Sequence, residues 1–205
     1  MIKNIVFDMG NVLIEWNPVK IISRFVEDAR DVAAINAALF SNPDWAKLDE
    51  GTVTEEDILN GAKAALPERL HDDLEEVMDN WHYCMPVIVE NNDLVKHLKD
   101  SGYGVYLLSN ANKRFHSYNR ECVPCLKFMD GCMISADEKC TKPSSEIYEK
   151  FFKKFDLNPE ECLFIDDLSQ NCEGARNAGM KAFCYDGNYD NLVEFLKENG
   201  VEIKE

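Results

Sequence analysis

Positive charge and long apolar segments are both scarce in this sequence. Lysine and arginine together number 22, against 38 aspartate and glutamate residues, so the formal net charge is −16 at pH 7. Nucleic acids and anionic membrane surfaces are themselves negative, and this balance disfavours both as partners. No apolar run approaches the roughly 20 residues that a membrane-spanning helix requires. Residues 2–8 form a predicted core strand rather than a signal peptide, so we expect a soluble, cytoplasmic protein.

Other features that this sequence lacks reduce the number of cofactor classes to consider. Internal repeats and low-complexity tracts are missing, and the four histidines lack metal-ligand spacing. Without an export signal, the eight cysteines are interpreted as reduced thiols rather than a disulfide framework. Cys122, Cys125, Cys132 and Cys140 suggest a zinc site, but they lack a second C-x-x-C pair, and Cys132 falls within a predicted strand. Zinc is therefore disfavoured, although the sequence alone leaves metal binding by these thiols open.

Short apolar segments alternate with amphipathic helical segments along most of the chain. This alternation predicts an α/β fold with a mostly parallel sheet and helices on both of its faces. The predicted strands are residues 3–8, 103–109, 131–135, 162–166 and 181–185. The predicted helices are residues 92–100, 144–155, 169–178 and 189–198.

A long insertion separates the first predicted strand from the second. It spans about 90 residues, too many for one crossover connection. Residues 17–88 show helical patterns without a convincing strand, and Thr54 with Asp57 predicts a capping box at one helix start. We therefore predict a core of residues 1–16 and 89–205 and a small all-helical cap of residues 17–88.

Asp8 ends the first predicted strand and is the first candidate for chemistry. It follows the apolar residues 5–7 and precedes Gly10, a pattern typical of a buried strand that opens into a loop. In open α/β sheets the carboxyl ends of the strands border the ligand crevice. A carboxylate at that edge can attack a phosphorus atom, hold a cation, or do both. Capping of the following turn is the alternative role.

Later strand ends add further polar groups at the same edge. The second strand ends in Ser109 and Asn110, Lys142 precedes an aromatic-rich helix, and the fourth strand ends in Asp166 and Asp167. A dianionic phosphate needs neutralisation, which Lys142 and a metal ion held by the strand-end carboxylates would provide. Ser109 and Asn110 would donate hydrogen bonds to the remaining phosphoryl oxygens.

With these groups in this order, the chain resembles the haloacid dehalogenase superfamily, which consists mostly of phosphatases. The resemblance runs from about residue 3 to residue 185. It is closest to a bacterial branch of sugar-phosphate phosphatases, which is also similar to the N-terminal phosphatase domain of soluble epoxide hydrolase. The resemblance implies a Rossmann-like, three-layer core with an inserted helical cap, a Mg²⁺ cofactor and a small phosphorylated metabolite as substrate. We expect a monomer or a weak homodimer.

The resemblance also implies roles for individual residues. The implied catalytic residues are Asp8 as nucleophile, Ser109 and Lys142. The implied magnesium ligands are Asp8, the backbone carbonyl of Gly10, Asp166 and Asp167. The expected substrate contacts are Met9, Gly10 and Asn110, together with Trp16 and Trp45 near the cap. Trp81 is interpreted mainly as helix packing.

Gly10 departs from the superfamily pattern. Most of these phosphatases carry Asp two residues after the nucleophile, where it protonates the leaving group and then activates water. Such acid–base assistance is typically worth about 10²–10⁴-fold. Its absence leaves three readings open: a phosphatase for good leaving groups such as an anomeric sugar phosphate, a 2-haloacid dehalogenase, or a weak or inactive phosphate-binding module. The acidic pair argues against the dehalogenase, because carboxylates opposite Asp8 repel it without a cation. We predict a magnesium-dependent phosphatase with an aspartyl-phosphate intermediate.

Overall fold

A parallel β-sheet organises the molecule. The computed structural model describes residues 1–204, and within them the sheet has five strands in the order β3-β2-β1-β4-β5. The strands are β1 (Asn4–Phe7), β2 (Gly104–Ser109), β3 (Gly131–Ile134), β4 (Cys162–Asp166) and β5 (Lys181–Cys184). The predicted α/β fold is confirmed, and each predicted strand agrees with the observed one to within one residue at either end.

Helices follow the strands and fill the insertion. The insertion carries α1 (Pro18–Ile22), α2 (Ala29–Ala38), α3 (Pro43–Glu50), α4 (Glu55–Ala65) and α5 (His71–Asn80). The remaining helices are α6 (Val89–Asp100), α7 (Phe115–Cys122), α8 (Ser135–Glu138), α9 (Ser145–Phe155), α10 (Ser169–Asn177) and α11 (Tyr189–Glu198). Short 3₁₀ segments occur at Glu68–Leu70, Trp81–Cys84, Pro124–Phe128 and Pro159–Glu161. Along residues 1–204, none of the helices combines the length and the apolar character needed to cross a bilayer.

Both faces of the sheet are buried, as the side-chain alternation along β1 shows. Ile5 and Phe7 belong to one hydrophobic cluster, whereas Val6 belongs to a second cluster on the opposite face. The first cluster also includes residues of the insertion such as Ile35 and Leu74. One apolar core therefore connects the sheet with the insertion, and the three-layer arrangement follows.

The insertion is helical, as predicted, and the capping box at α4 is present. The Thr54 hydroxyl accepts from the Asp57 N–H at 3.1 Å, and the Asp57 carboxylate accepts from the Thr54 N–H at 2.9 Å. The division into a core (residues 1–16 and 89–205) and a cap (residues 17–88) stays a prediction. Its last residue, 205, lies outside the described residues.

Helix α6 begins at Val89, three residues before its predicted start. The helical pattern predicted residues 92–100, so Asn91 was expected outside the helix and Asn92 at its start. Instead, the buried side chains of Asn91 and Asn92 lie within the helix, where they donate to the carbonyls of Val12 and Leu13 at 2.6 and 2.8 Å. These bonds hold the loop after β1 against α6.

The end of α3 is fastened to α8. The Ser135 hydroxyl donates to the Asp49 carbonyl, and the Lys139 ammonium donates to the Gly51 carbonyl. Gly51 has φ of 74°, and a Cβ built there would lie 2.5 Å from the Ala136 carbonyl oxygen. Glycine is therefore required at this contact, for its backbone conformation and for the close approach.

We expect Gly51→Ala to lower the free energy of unfolding by more than about 1 kcal/mol, because alanine is strained at positive φ and clashes with backbone. Gly61→Ala is the matched control. Gly61 lies inside α4 with nothing within 4 Å of an added Cβ, so alanine should stabilise by about 0.5–1 kcal/mol. Urea denaturation measures both changes. Equal effects of the two substitutions would contradict this account of the α3–α8 contact.

Candidate active site

The predicted catalytic groups meet at one edge of the sheet. Strand β1 lies between β2 and β4, with Phe7 paired to Leu107 and to Ile165. Asp8 follows β1 directly, and its N–H donates to the Ile165 carbonyl at 2.8 Å. Ser109 and Asp166 end the two neighbouring strands. Because the strands are parallel, their carboxyl ends bring these groups side by side.

Lys142 bridges two of the carboxylates. Its Nζ lies 2.6 Å from Asp8 Oδ1 and 2.6 Å from Asp166 Oδ2, and it also donates to the Leu108 carbonyl at 3.1 Å. The lysine is almost fully buried, at 4% relative exposure. Its three donors therefore all have partners inside the protein.

Asn110 holds the main chain of Lys142 from both sides. Its amide nitrogen donates to the Lys142 carbonyl at 3.0 Å, and its amide oxygen accepts from the Lys142 N–H at 2.9 Å. This pair of bonds assigns the Asn110 side chain to positioning the lysine. A contact between Asn110 and substrate stays a prediction.

The charges in this group depend on one another. Burial raises the pKa of Asp8 to about 6, with a further rise from Asp166 and an opposing effect of Lys142. Burial alone would lower the pKa of Lys142, but the charges and hydrogen bonds of Asp8 and Asp166 outweigh it, and the pKa is raised. The lysine therefore stays charged and offsets the two carboxylates.

Asp166 and Asp167 occupy different environments. Asp166 is fully buried, and Asn171 Nδ2 donates to its Oδ1 and Oδ2 at 3.0 and 3.1 Å. Asp167 is half-buried, and its Oδ2 accepts from Asn11 Nδ2 at 3.0 Å. Burial raises the pKa of Asp167, against the opposing hydrogen bond from Asn11. Asp166 thus orients Lys142 and Asn171, whereas Asp167 has access to the cavity.

The donor set at this edge fits a hard divalent cation. Ligand atoms of Asp8, Asp166 and Asp167 all lie within 4.8 Å of one another. Asn171 Oδ1 is buried without a hydrogen-bond partner beside them, so it can accept from water bound to a cation. An all-oxygen set suits Mg²⁺. Across residues 1–204, the carboxylate trio is the only cluster of three or more such side chains this close, so the cysteines considered for zinc do not converge.

A cavity of about 250 Å³ opens above these groups. The predicted site residues that line it are Asp8, Met9, Gly10, Trp16, Trp45, Ser109, Asn110, Lys142 and Asp167. Asp166 is the exception, since it lies behind Lys142 without lining the cavity. Fully buried Asp166 therefore acts on the cavity through Lys142 and Asn171.

An aromatic wall of Trp16, Phe40, Trp45 and Trp81 also lines the cavity. Trp16 and Trp45 are stacked with ring centroids 6.3 Å apart, and Trp81 meets each of them edge-on at 5.6 Å. Phe40 packs edge-on against Trp45 at 4.7 Å. Trp81 was interpreted mainly as packing, but it also lines the cavity. The indole Nε1 of Trp81 is buried without a hydrogen-bond partner.

The sequence analysis did not identify several residues that line the cavity. Asp49 and Asn112 line it, and Asn112 Nδ2 donates to Asp49 Oδ1 at 3.3 Å. Burial raises the pKa of Asp49 to about 7, against the hydrogen bonds from Asn112.

Asn11, with φ of 53°, donates to Asp167 and accepts from the Trp16 N–H at 3.0 Å. Asparagine tolerates this left-handed backbone. That tolerance is the one feature of the local sequence that could have identified Asn11 as a site residue.

Comparison with known proteins identifies the family of this chain. The model of the haloacid dehalogenase-like hydrolase family matches residues 2–179. A D-ribitol-5-phosphate phosphatase of Bacteroides thetaiotaomicron is 28% identical over 89% of this chain and 91% of its own. The sesquiterpene phosphatase astK of Aspergillus oryzae is 26% identical over 87% of each chain.

A solved structure has the same fold. It is a mutant haloacid dehalogenase family enzyme of Bacteroides thetaiotaomicron in complex with magnesium and inorganic phosphate. The TM-score is 0.77 at 21% identity, over 94% of this chain and 99% of that one. Strand order, site geometry and the family match over residues 2–179 lead to one assignment. The chain belongs to the haloacid dehalogenase-like hydrolases.

Proposed function

We propose that this hydrolase is a magnesium-dependent phosphatase of small phosphorylated metabolites, with Asp8 as its nucleophile. The observation that carries the proposal is Lys142, buried between Asp8 and Asp166 with Nζ 2.6 Å from each. An ammonium in this position neutralises the nucleophile and an incoming phosphate together. The relatives named as phosphatases support the same activity.

In the proposed reaction, Asp8 attacks the phosphorus in line with the leaving oxygen. An Asp8 acyl-phosphate forms as the bond to the leaving oxygen breaks, and water then hydrolyses the acyl-phosphate. Lys142 and Ser109 stabilise the phosphoryl oxygens, while Asn110 holds the lysine in place. Mg²⁺ bound by Asp8, the Gly10 carbonyl and Asp167, with Asp166 close by, would neutralise phosphate charge.

The substrate is small, and its leaving group lies against the aromatic wall. A cavity of about 250 Å³ has room for a metabolite of a few carbons beside the phosphate. The rings of Trp16, Trp45 and Trp81 offer apolar surface to the C–H groups of a sugar or polyol. An anomeric sugar phosphate is one such substrate, and the acyclic substrate in the name of the Bacteroides relative is another.

The carboxylates argue against the dehalogenase alternative. Asp8, Asp166 and Asp167 have ligand atoms within 4.8 Å of one another, and among residues 1–204 Lys142 is the one lysine or arginine that is buried. A second cation is needed to balance them. A magnesium-assisted reaction of a dianionic phosphate uses the positive charge of that second cation, whereas the expulsion of halide does not use it.

We expect hydrolysis of activated aryl phosphates at millimolar Mg²⁺, full loss of turnover in excess chelator, and recovery when Mg²⁺ is restored. Mg²⁺ should also raise the thermal unfolding midpoint of the wild type, because it binds the folded state. Asp167→Asn should abolish most of that rise. Asp100→Asn, at an exposed ion pair with Lys96, is the matched control and should keep it.

Two results would count against the proposal. Undiminished turnover in excess chelator would remove magnesium from the mechanism. Binding of inorganic phosphate with Mg²⁺, but no turnover of any activated phosphate, would make the protein a binding module instead.

A further inference from the structure

Gly10 leaves the proposed phosphatase without the usual proton donor, but a further carboxyl group lines the cavity. Among the described residues 1–204, the carboxyl groups that line the cavity are those of Asp8, Asp167 and Asp49. The first two are engaged with Lys142 and Asn11 at the sheet edge. Asp49 belongs to the insertion and has no role in that cluster.

The position of Asp49 is fixed by contacts between the insertion and the sheet layer. It lies in the last turn of α3, one turn after Trp45, which lines the same cavity. Its carbonyl accepts from the Ser135 hydroxyl, and its carboxylate accepts from Asn112 Nδ2 at 3.3 Å. Asn112 itself is buried, at 2% exposure. The carboxyl group is therefore held toward the cavity by α3, by Ser135 and by Asn112.

The surroundings of Asp49 allow it to keep a proton up to near neutral pH. The side chain is half-buried and keeps access to the cavity. Burial raises the pKa of Asp49 to about 7, while hydrogen bonds from Asn112 lower it in part. A general acid works best when its pKa lies near the working pH.

Two basic groups on the neighbouring elements already have partners. Lys139, directly after α8, donates to the Gly51 carbonyl, and Arg114 before α7 pairs with Glu55 at 2.6 Å. The nearby phenol of Tyr118 on α7 has a raised pKa, caused mainly by burial and then by the charge of Asp49. The other titratable groups around the cavity or on α3 and α8 are Asp8, Asp44, Lys47, Glu50, Asp137, Glu138, Lys142 and Asp167.

We propose that Asp49 is the general acid and base of this enzyme, a role that rests on the phosphatase function proposed above. In the first step, the Asp49 carboxyl gives its proton to the leaving oxygen while the P–O bond breaks and Asp8 forms its acyl-phosphate. In the second step, the Asp49 carboxylate takes a proton from the water that attacks phosphorus, and the bond from Asp8 to phosphorus breaks. Asp8 is released as carboxylate and Asp49 is again protonated, so the cycle balances.

One residue can serve both steps because of their geometry. In-line displacement sends the leaving group away on the side opposite Asp8, and water enters from that same side. Asp8 lies at the sheet edge, and Asp49 reaches the common cavity from the insertion. Trp16, Trp45 and Trp81 line the same cavity, so Asp49 and the leaving group share a largely apolar pocket.

A purely structural role for Asp49, tying α3 to Asn112, is the competing explanation. Asp49→Asn separates the two, since the amide keeps the size and an acceptor oxygen but cannot transfer the proton. The matched control is Asn112→Ala, which removes the tie and leaves the carboxyl group.

We expect Asp49→Asn to slow hydrolysis of an alkyl or polyol phosphate by about 10²–10⁴-fold. Hydrolysis of p-nitrophenyl phosphate should fall far less, since that leaving group departs without a proton. The alkaline decline in kcat/KM for the alkyl substrate should also disappear, because that decline reports loss of the Asp49 proton. Asn112→Ala keeps the carboxyl group, so it should slow the alkyl substrate less than Asp49→Asn does and should keep the alkaline decline.

Restoring a carboxyl group at the usual position provides a second readout. A Cβ at Gly10 would meet the Trp16 Cβ at 3.6 Å, an ordinary contact. Gly10→Asp combined with Asp49→Asn should therefore recover at least about 10-fold of the alkyl phosphatase rate. A structural defect at Asp49 would not be repaired from position 10.

Stability measurements show whether Asp49→Asn folds. Because the pKa of Asp49 is raised in the folded state, its ionisation costs stability as pH rises from its ordinary value toward and through about 7. The neutral amide avoids that cost, so the variant should unfold at the same or a higher temperature than wild type at pH 8.

The outcomes are distinguishable. Equal losses on aryl and alkyl phosphates, or no loss on either, would overturn the assignment of Asp49 while leaving the phosphatase intact. If the wild type hydrolyses neither substrate at millimolar Mg²⁺, the phosphatase proposal fails and the role of Asp49 fails with it.

Discussion

Asp8→Asn should abolish turnover of every phosphate substrate, with a loss of at least about 10⁴-fold, because the amide cannot form the acyl-phosphate. The fold should survive. Burial already raises the pKa of Asp8 to about 6, so a neutral side chain of the same size is tolerated there. Phosphate release under saturating p-nitrophenyl phosphate measures the loss, and circular dichroism melting checks the fold.

The control for this substitution is Asp137→Asn. Asp137 pairs with the exposed His116 at 2.9 Å, away from the cavity, and its replacement should leave turnover within about 2-fold of wild type. Retention of a tenth or more of the wild-type rate by Asp8→Asn would remove the nucleophile from the mechanism.

Lys142→Ala should damage both catalysis and folding. Removal of the buried ammonium leaves Asp8 and Asp166 without their shared partner, which typically costs about 3–5 kcal/mol of stability. The rate should fall by at least about 10²–10³-fold, since the phosphoryl oxygens lose a charged donor. Lys150→Ala, at a more exposed pair with Glu146, is the surface control and should change stability by less than about 1 kcal/mol.

A double variant separates the two roles of Lys142. Lys142→Met with Asp166→Asn removes one positive and one negative charge and keeps the buried volume nearly constant. It should regain part of the lost stability and none of the activity, because charge balance returns but the phosphate donor does not. Normal activity in a Lys142→Ala protein that still folds would show that the lysine is structural.

The sheet edge was predictable because its signals are local. Each strand is a short apolar run, and the groups that follow it, such as Asp8, Ser109 and Asp166, reach the edge through parallel pairing alone. Lys142 was a candidate from its place before an aromatic-rich helix, and the structure adds its two ion pairs at 2.6 Å. These features follow from strand position and required no knowledge of how the insertion packs.

The insertion side of the cavity was less predictable, because its contacts join distant parts of the chain. Asp49 and Asn112 are 63 residues apart, and Asn91 lies 79 residues from the carbonyl of Val12 that it meets. No periodic pattern encodes such pairs. Trp81 was only partly predictable for the same reason. Helical spacing predicted that it is buried, but it did not predict that its ring borders the cavity.

The most direct test of the account is the state of Asp8 during turnover. Wild-type protein and stoichiometric p-nitrophenyl phosphate would be mixed with Mg²⁺, quenched in acid at millisecond intervals, digested and analysed by mass spectrometry. We expect a transient peptide carrying one phosphoryl group on Asp8, sensitive to hydroxylamine and absent from Asp8→Asn. Phosphate release at the normal rate with no phosphoryl group on Asp8 at any interval, or with the group on another residue, would contradict the account.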